Sequence, residues 1–463
     1  MKKTSLTLLT LVVIIIALVF VLPYAMGYFV EKRVPTILQA LSSSKVNLQL
    51  ENYQRGWFNS TANIKVTVGP GHKTFEMVES ITHGPFFFTT TSEGNKRFAV
   101  GQAAFQMQNI QGMNFTANAV VGLNGKVIGF VRSSQFIVTT PQGVNVMYSN
   151  LEIVFTISPD IQHIQGYAEF AGAQIQMQNL QAILQNVKIN FNLQRGSSGL
   201  WLRDQLLSVQ SVVLSVGQPN QRITLNGFNQ QFTTREVNGR LNAILITSLQ
   251  SVDTPTLQTG PYYLNLAIND LDILSLQKLI EFFQENDPIS QQFSHFQKQQ
   301  LAAMFLDLIG KGMNLVIHQL SVITPKGTIA AKANITLPTQ QNGGGLMLAL
   351  TNAKADLTIE GPEPLLSDAL KIYFIKYQMQ HPDIQIDPIE LSDQQIQQWI
   401  KTGWIVQDGN QLQLILNYQK GQLLINGRDQ KTLSSPTLSL PSQAPTTNVE
   451  SSEKSLKNPD KKE

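Results

Sequence analysis

The feature that most constrains this chain is an alternation of apolar and polar side chains, with a period of two, that recurs over most of its length. Successive side chains of a β-strand point to opposite faces, so each alternating segment predicts a strand with one apolar face. Turn sequences such as Asn124-Gly125 and Asn238-Gly239 separate the segments and favour antiparallel hairpins. The clearest segments are Ala62–Val68, Leu151–Ile157, Ala173–Met177, Val187–Leu193 and Leu241–Leu245. We therefore predict a β-dominant α+β chain with long, curved antiparallel sheets.

Helical spacing replaces the alternation at several places in the second half of the chain. Apolar residues three and four positions apart predict helices over Leu271–Phe283, His295–Ile309, Pro364–Met379 and Ser392–Thr402. Ser392 and Gln395 have the spacing of a capping box for the last of these helices.

The distribution of these elements predicts two bodies and a tail. A β-rich body is expected over residues 31–260 and an α+β body over residues 261–432, with the boundary near Pro261. Residues 433–463 are rich in Ser, Pro, Lys and Glu, which predicts a disordered tail.

The first thirty residues predict a transmembrane anchor. No charged side chain lies between Thr4 and Val30, and the apolar core from Leu6 to Leu22 approaches the roughly 30 Å of a bilayer's hydrocarbon layer. A cleavable signal peptide, cut after Gly27, is the alternative, but the apolar stretch is longer than is typical of one. The side chains expected in the lipid are Leu6, Leu8, Leu11, Ile14, Ile15, Leu18, Phe20 and Leu22.

Charge around this segment predicts its orientation. Lys2 and Lys3 precede the apolar run, which favours a cytoplasmic N-terminus and a translocated body. A cluster of charges, residues 31–33, follows the run and weakens this bias.

Composition and motif spacing point away from enzyme chemistry. The chain has no cysteine, and its formal net charge of +3 comes with no stripe of basic and aromatic residues for nucleic acid. The six histidines are scattered singly, and no nucleophile elbow, phosphate loop or zinc motif is present. We therefore expect no catalytic, metal or cofactor residues.

One segment after the anchor combines aromatic rings with a guanidinium and a glycine. We interpret it as a packed strand corner, in which Arg55 lies over an aromatic ring or pairs with Glu51 and Trp57 fills the end of the sheet. Direct contact with a ligand is the alternative. The segment comprises Tyr53, Gln54, Arg55, Gly56, Trp57, Phe58 and, after Asn59, Ser60.

With this segment, the short anchor and an ending from Gly403 to Tyr418 followed by Gly421 and Asn426-Gly427, the chain resembles the YdgA-like family of bacterial envelope proteins, whose function is unknown. The resemblance implies a protein with one span in the bacterial inner membrane and its body in the periplasm. It supplies no catalytic residues.

Two functions fit these expectations. In the first, a curled sheet offers an apolar groove that binds lipid or another amphiphile for envelope maintenance. In the second, the protein is an envelope scaffold or assembly factor that binds other envelope proteins or itself through strand edges or helices. A continuous apolar face that no second layer covers would favour the groove.

Overall fold

The computed structural model describes residues 23–433 except 33, 37, 40–41, 43–45, 69–72, 91–95, 109–113, 140–143, 178, 218–220, 287–292, 340–350 and 382–385. Apart from Leu433, the predicted tail therefore lies outside the described residues, as do the anchor side chains from Leu6 to Leu22.

The described strands form one antiparallel sheet of 24 strands, which confirms the predicted β-dominant, antiparallel fold. In chain order they are β1 (Val46–Arg55), β2 (Asn59–Val68), β3 (Lys73–Thr90), β4 (Lys96–Gln108), β5 (Phe115–Gly122), β6 (Val127–Ser133), β7 (Phe136–Thr139), β8 (Asn145–Tyr148), β9 (Leu151–Ile157), β10 (His163–Gln176), β11 (Leu180–Arg195), β12 (Trp201–Val216), β13 (Arg222–Val237), β14 (Arg240–Leu249), β15 (Ser251–Asp253), β16 (Gln258–Thr259), β17 (Tyr262–Asp272), β18 (Met313–Thr324), β19 (Gly327–Leu337), β20 (Lys354–Pro362), β21 (Val406–Asp408), β22 (Gln411–Gln419), β23 (Gln422–Ile425) and β24 (Arg428–Asp429).

The long strands follow one another as a meander. The order of pairing is β1 to β6, then β9 to β14, then β17 to β20, and finally β22 and β23. Pairing of β14 with β17 carries the sheet across the predicted domain boundary near Pro261. The division into two bodies stays a prediction.

A line of interrupted pairing crosses β10 to β13 without shifting the register. The residues on this line are Ala171, Asn186, Gln210 and Gly227, and both Asn186 and Gly227 have positive φ. On one side of the line the apolar row contains Phe170, Val187, Val209 and Phe228, and on the other side it contains Ala173, Leu184, Val212 and Leu225. The apolar positions thus change phase by one residue, as they do at β-bulges.

The helices occupy the places that the sequence indicates, and three of the four predicted helices start at a different residue. We label as α1 the helix whose described residues lie between 23 and 39. The others are α2 (Ile273–Glu285), α3 (His295–Gly310), α4 (Glu363–Gln380) and α5 (Pro388–Thr402).

The predicted capping box at Ser392 and Gln395 is wrong. Helix α5 begins four residues earlier than predicted, at Pro388, and the carboxylate of Asp387 accepts from the amides of Ile389 and Glu390. Ser392 and Gln395 are buried inside the helix. Asp387-Pro388 is the actual start signal, because Pro is favoured at the first helical position. The capping-box prediction did not take it into account.

Buried apolar clusters lie at the two ends of the meander and at β14 and β17 within it. Helix α1 packs Val34 and Leu38 on Ala62, Ile64, Val66 and Ile81 of β2 and β3. Helices α2 and α3 pack with Leu241 and Leu271, and α4 and α5 enclose Phe374 and Ile396 against Leu412. All three clusters lie outside β5–β11.

Candidate functional site

One face of the sheet is apolar from strand to strand. Residues that are directly opposite in paired strands share a face, so the register allows rows of side chains to be followed across the sheet. A first row crosses the meander through Phe105, Ala117, Val131, Ile153, Ala168, Ile189 and Leu207. A second row, farther along, contains Leu245, Leu266, Ile317, Ala333, Leu357 and Leu416. We call the face that carries these rows the apolar face.

The central part of the apolar face is only half-buried. Of the described apolar residues in β5–β11, Val120 and Val146 are buried, and only Val146 is on the apolar face. Along β11, Val187, Ile189 and Phe191 are of intermediate exposure, whereas the residues between them are exposed and polar. Mutual contact among neighbouring side chains shields these residues, and the three buried clusters lie elsewhere. Much apolar surface is therefore left without a second layer of the described residues.

Aromatic rings lie against glycines along this face. A Cβ on Gly129 would meet Phe155 Cζ at 2.3 Å, and a Cβ on Gly166 would meet Phe191 Cζ at 2.9 Å. Each phenylalanine is directly opposite its glycine in the neighbouring strand. The rings therefore cover backbone that would otherwise be exposed, and they keep the apolar face continuous.

An aromatic series lies along the same face where the short strands β7 and β8 join the sheet. Ring centroids are 6.0 Å apart for Phe115 and Phe136, 4.9 Å for Phe136 and Tyr148, and 6.4 Å for Tyr148 and Phe170. These rings present flat, polarisable surface, which suits contact with hydrocarbon.

At the other end of the face, the aromatic and arginine segment contacts helix α1. Arg55 Nη1 donates to Glu31 Oε2 at 3.0 Å, and Nη2 donates to the Tyr24 hydroxyl at 2.9 Å. The guanidinium also lies over the Tyr24 ring, 4.6 Å from its centroid. Arg55 therefore holds α1 to the strand corner. Its ionic partner is Glu31 and not the expected Glu51, whose Oε1 lies 3.9 Å from Lys65 Nζ.

Gly56 and the aromatic residues after it form the turn between β1 and β2. The amide of Gly56 donates to the Asn59 carbonyl, and a Cβ at Gly56 would lie 2.2 Å from that oxygen, so only glycine fits. Trp57 is 50% exposed, and its ring centroid lies 5.2 Å from that of Tyr24. Phe58 is 40% exposed. Trp57 therefore does not fill the end of the sheet. Tyr53 is half-buried on the apolar face, and Gln54 is exposed.

Buried polar side chains lie beneath α1, on the apolar face. Ser60 Oγ and His83 Nε2 are 2.8 Å apart, and both residues are fully buried. Burial lowers the pKa of His83, so its ring is neutral near pH 7. Gly27 of α1 lies directly against this ring, since a Cβ there would be 2.7 Å from His83 Cε1.

Glu79 is the second buried titratable group in this region. It is 7% exposed and stands between Ala62 and Phe105 in the register. Within the described part of the chain, no cation is paired with its carboxylate. Burial consequently raises the pKa of Glu79 to about 7.

Sequence reasoning missed Glu79 and His83, although a signal was present. Both lie in β3 on the same face as Phe75, Met77 and Ile81, where the alternation predicts apolar side chains. Polar residues in the apolar phase of a strand are expected to be buried, and buried polar groups usually have a specific role or partner.

Substituting Gly27 by alanine is expected to loosen α1 from the sheet. The new methyl group would overlap the His83 ring, so we expect the free energy of unfolding to fall by about 1–3 kcal/mol. The matched control is Gly310→Ala, since a Cβ at this helical glycine would meet nothing within 4 Å. Thermal unfolding followed by circular dichroism would measure both variants. Equal melting of the two would contradict the close packing of α1.

The described residues contain no group of His, Asp and Glu that could hold a metal ion. Within the same residues, no helix has both the length and the apolarity needed to cross a bilayer. Since the predicted anchor side chains precede residue 23, the anchor stays a prediction.

Fold and site together define a β-meander protein with one extended, half-covered apolar face that is clamped at its first strands by an N-terminal helix. A family model for bacterial proteins of unknown function, DUF945, matches residues 1–431, and the chain belongs to this family. No curated protein and no solved structure has detectable similarity to it. The narrower resemblance to the YdgA-like family stays a prediction.

Proposed function

We propose that the protein binds the acyl chains of a lipid or similar amphiphile on the apolar face while its N-terminal segment anchors it in the bacterial inner membrane. The observation that carries this proposal is the apolar face over β5–β11, which is continuous in register and only half-buried. Exposed apolar patches of more than a few hundred Å² on soluble domains usually mark binding sites.

Acyl chains suit this face better than a small polar molecule. The rows consist of aliphatic side chains and of phenylalanines that lie over glycines, and they offer few hydrogen-bonding groups. A sheet this wide is expected to coil, because open sheets rarely exceed about ten strands without curling. Coiling would turn the apolar face into a trough, in which an extended hydrocarbon chain can contact several strands.

The position of α1 supports a membrane source for the ligand. Helix α1 contains the last residues of the uncharged N-terminal run and packs on the apolar face at β1–β3. The apolar face therefore begins next to the predicted bilayer. We infer an anchored periplasmic body whose face continues the apolar environment of the membrane.

Photo-cross-linking from neighbouring positions of one strand would test the proposal. A benzophenone amino acid would replace Phe191 on the apolar face or, as the control, Asn190 on the opposite face of β11. In membranes, we expect lipid adducts at position 191 and few at position 190, detected by mass spectrometry. Equal labelling of the two faces would contradict a specific lipid site.

A second candidate function, a scaffold that binds proteins, is favoured by helix α4. Ile372, Ile375 and Met379 are exposed on one side of this helix, whereas Leu370 and Phe374 on the other side are buried. Amphipathic partners often dock on such apolar stripes. A benzophenone amino acid at position 372 that gives a protein adduct, with no lipid adduct at position 191, would favour this alternative.

A further inference from the structure

Five exposed aromatic residues form one patch where α1 meets the turn between β1 and β2. Tyr24, Tyr28 and Phe29 come from α1, and Trp57 and Phe58 come from the turn. Tyr24 and Trp57 are in ring contact, so the two elements present a single surface. We call these five residues the aromatic patch.

Cationic groups accompany the aromatic patch. Lys32 Nζ lies 5.7 Å from the Tyr28 ring centroid, and the Arg55 guanidinium lies over both tyrosines. Exposed aromatic rings together with Lys and Arg are typical of the membrane–water interface, where the rings enter the headgroup layer and the cations meet phosphate.

The packing of α1 limits how far the patch can be from the bilayer. Pro23 is fully buried and Gly27 lies against His83, so the chain already belongs to the folded body at residue 23. The apolar core from Leu6 to Leu22 would span only about 25 Å as a helix, less than the roughly 30 Å hydrocarbon layer. The predicted membrane segment and the body are therefore expected to be joined without a linker.

We propose that the aromatic patch lies in the headgroup layer of the membrane and holds the body, strand corner first, against the bilayer surface. This proposal rests on the membrane anchor of the proposed function, but not on lipid binding by the apolar face. It gives the segment from Arg55 to Phe58 two roles, since the same residues that clamp α1 also contact lipid.

The absence of cysteine permits a direct test with single-cysteine variants of the full chain. Asn59→Cys places a fluorophore beside Trp57 and Phe58 without removing either ring, and Ser134→Cys places it at the exposed turn between β6 and β7, at the opposite edge of the sheet. The labelled proteins would be reconstituted in vesicles of phosphatidylethanolamine and phosphatidylglycerol that contain a phospholipid brominated near its carbonyl groups. Flotation of the vesicles would report anchoring separately.

We expect bromine quenching at position 59 to be roughly twice that at position 134, because only the first label would lie near the headgroups. In the labelled Asn59→Cys protein, adding Trp57→Ser and Phe58→Ser should lower the quenching while flotation is retained. Equal quenching at the two positions in floating protein would overturn the proposal and leave the anchor intact. Failure to float would overturn the anchor, and with it this proposal, without bearing on the apolar face.

Discussion

Glu79→Gln is expected to raise the free energy of unfolding by about 3 kcal/mol at pH 8 and by very little at pH 4. Burial raises the pKa of Glu79 from its usual 4.5 to about 7, and each pKa unit corresponds to about 1.4 kcal/mol. Because the folded state binds this proton more tightly, the stability contributed by protonated Glu79 is fully present below pH 4.5. It is lost as the pH rises toward 7.

Subtracting the free energy of unfolding of the parent from that of the variant at each pH isolates the contribution of Glu79 from those of other titrating groups. Burial lowers the pKa of His83, so the stability contributed by its neutral ring is lost as the pH falls below 6.5. Both proteins contain His83, and this contribution therefore cancels in the difference. Burial and the nearby Glu79 charge raise the pKa of Tyr53 above its usual 10, so this hydroxyl does not titrate between pH 4 and pH 8. Denaturant unfolding at a series of pH values between 4 and 8 would give the difference at each pH.

Glu76→Gln is the matched control for this experiment. Glu76 lies in the same strand, but it is exposed and faces the opposite side of the sheet. We expect its substitution to leave the pH dependence unchanged. A difference between Glu79→Gln and the parent that stays constant from pH 4 to pH 8 would show that Glu79 does not titrate in a buried environment.

The sequence predicted the fold well where one physical signal was dominant. Alternation in Ala62–Val68 and Val187–Leu193 identified strands because one face of each is less exposed than the other. Alternation could not predict the change of phase at Asn186 and Gly227, since it follows from positive φ values and from an interruption of pairing that continues across neighbouring strands. The start of α5 was misplaced because two competing cap signals lie within five residues.

The site was less predictable than the fold because it depends on contacts between distant segments. The sequence indicated that Arg55 would lie over an aromatic ring, but the ring belongs to Tyr24 of α1, and its ionic partner is Glu31. Whether protein covers the apolar face also depends on where the helices pack, and the alternation of a single strand contains no information about that. The exposure of Trp57 could not be predicted for the same reason.

The largest effect on ligand binding is expected from a charge placed in the middle of the apolar face. Ile189 lies on β11 between Ala168 of β10 and Leu207 of β12, and it is half-buried. In Ile189→Glu, a bound acyl chain would have to remove water from a carboxylate, which costs several kcal/mol. We expect at least a tenfold loss of lipid retained per protein, and a tenfold loss corresponds to about 1.4 kcal/mol.

Asn190→Glu supplies the control for this charge, because it introduces the same side chain one residue away on the opposite, exposed face. Lipid retained by the detergent-purified full chain would be quantified by mass spectrometry for both variants and the parent. We expect Asn190→Glu to retain as much lipid as the parent. Equal retention by all three proteins would contradict acyl-chain binding at β11.

The stability of Ile189→Glu separates an open face from a closed core. If the face is open, the new carboxylate stays hydrated in the absence of ligand, and the free energy of unfolding should fall by no more than about 1 kcal/mol. If another layer of protein covers Ile189, the same charge is buried without a partner and the fall should be about 4 kcal/mol or more. A small loss of stability together with a large loss of lipid is therefore the combined result that the proposed trough requires, since a closed sandwich would lose stability first.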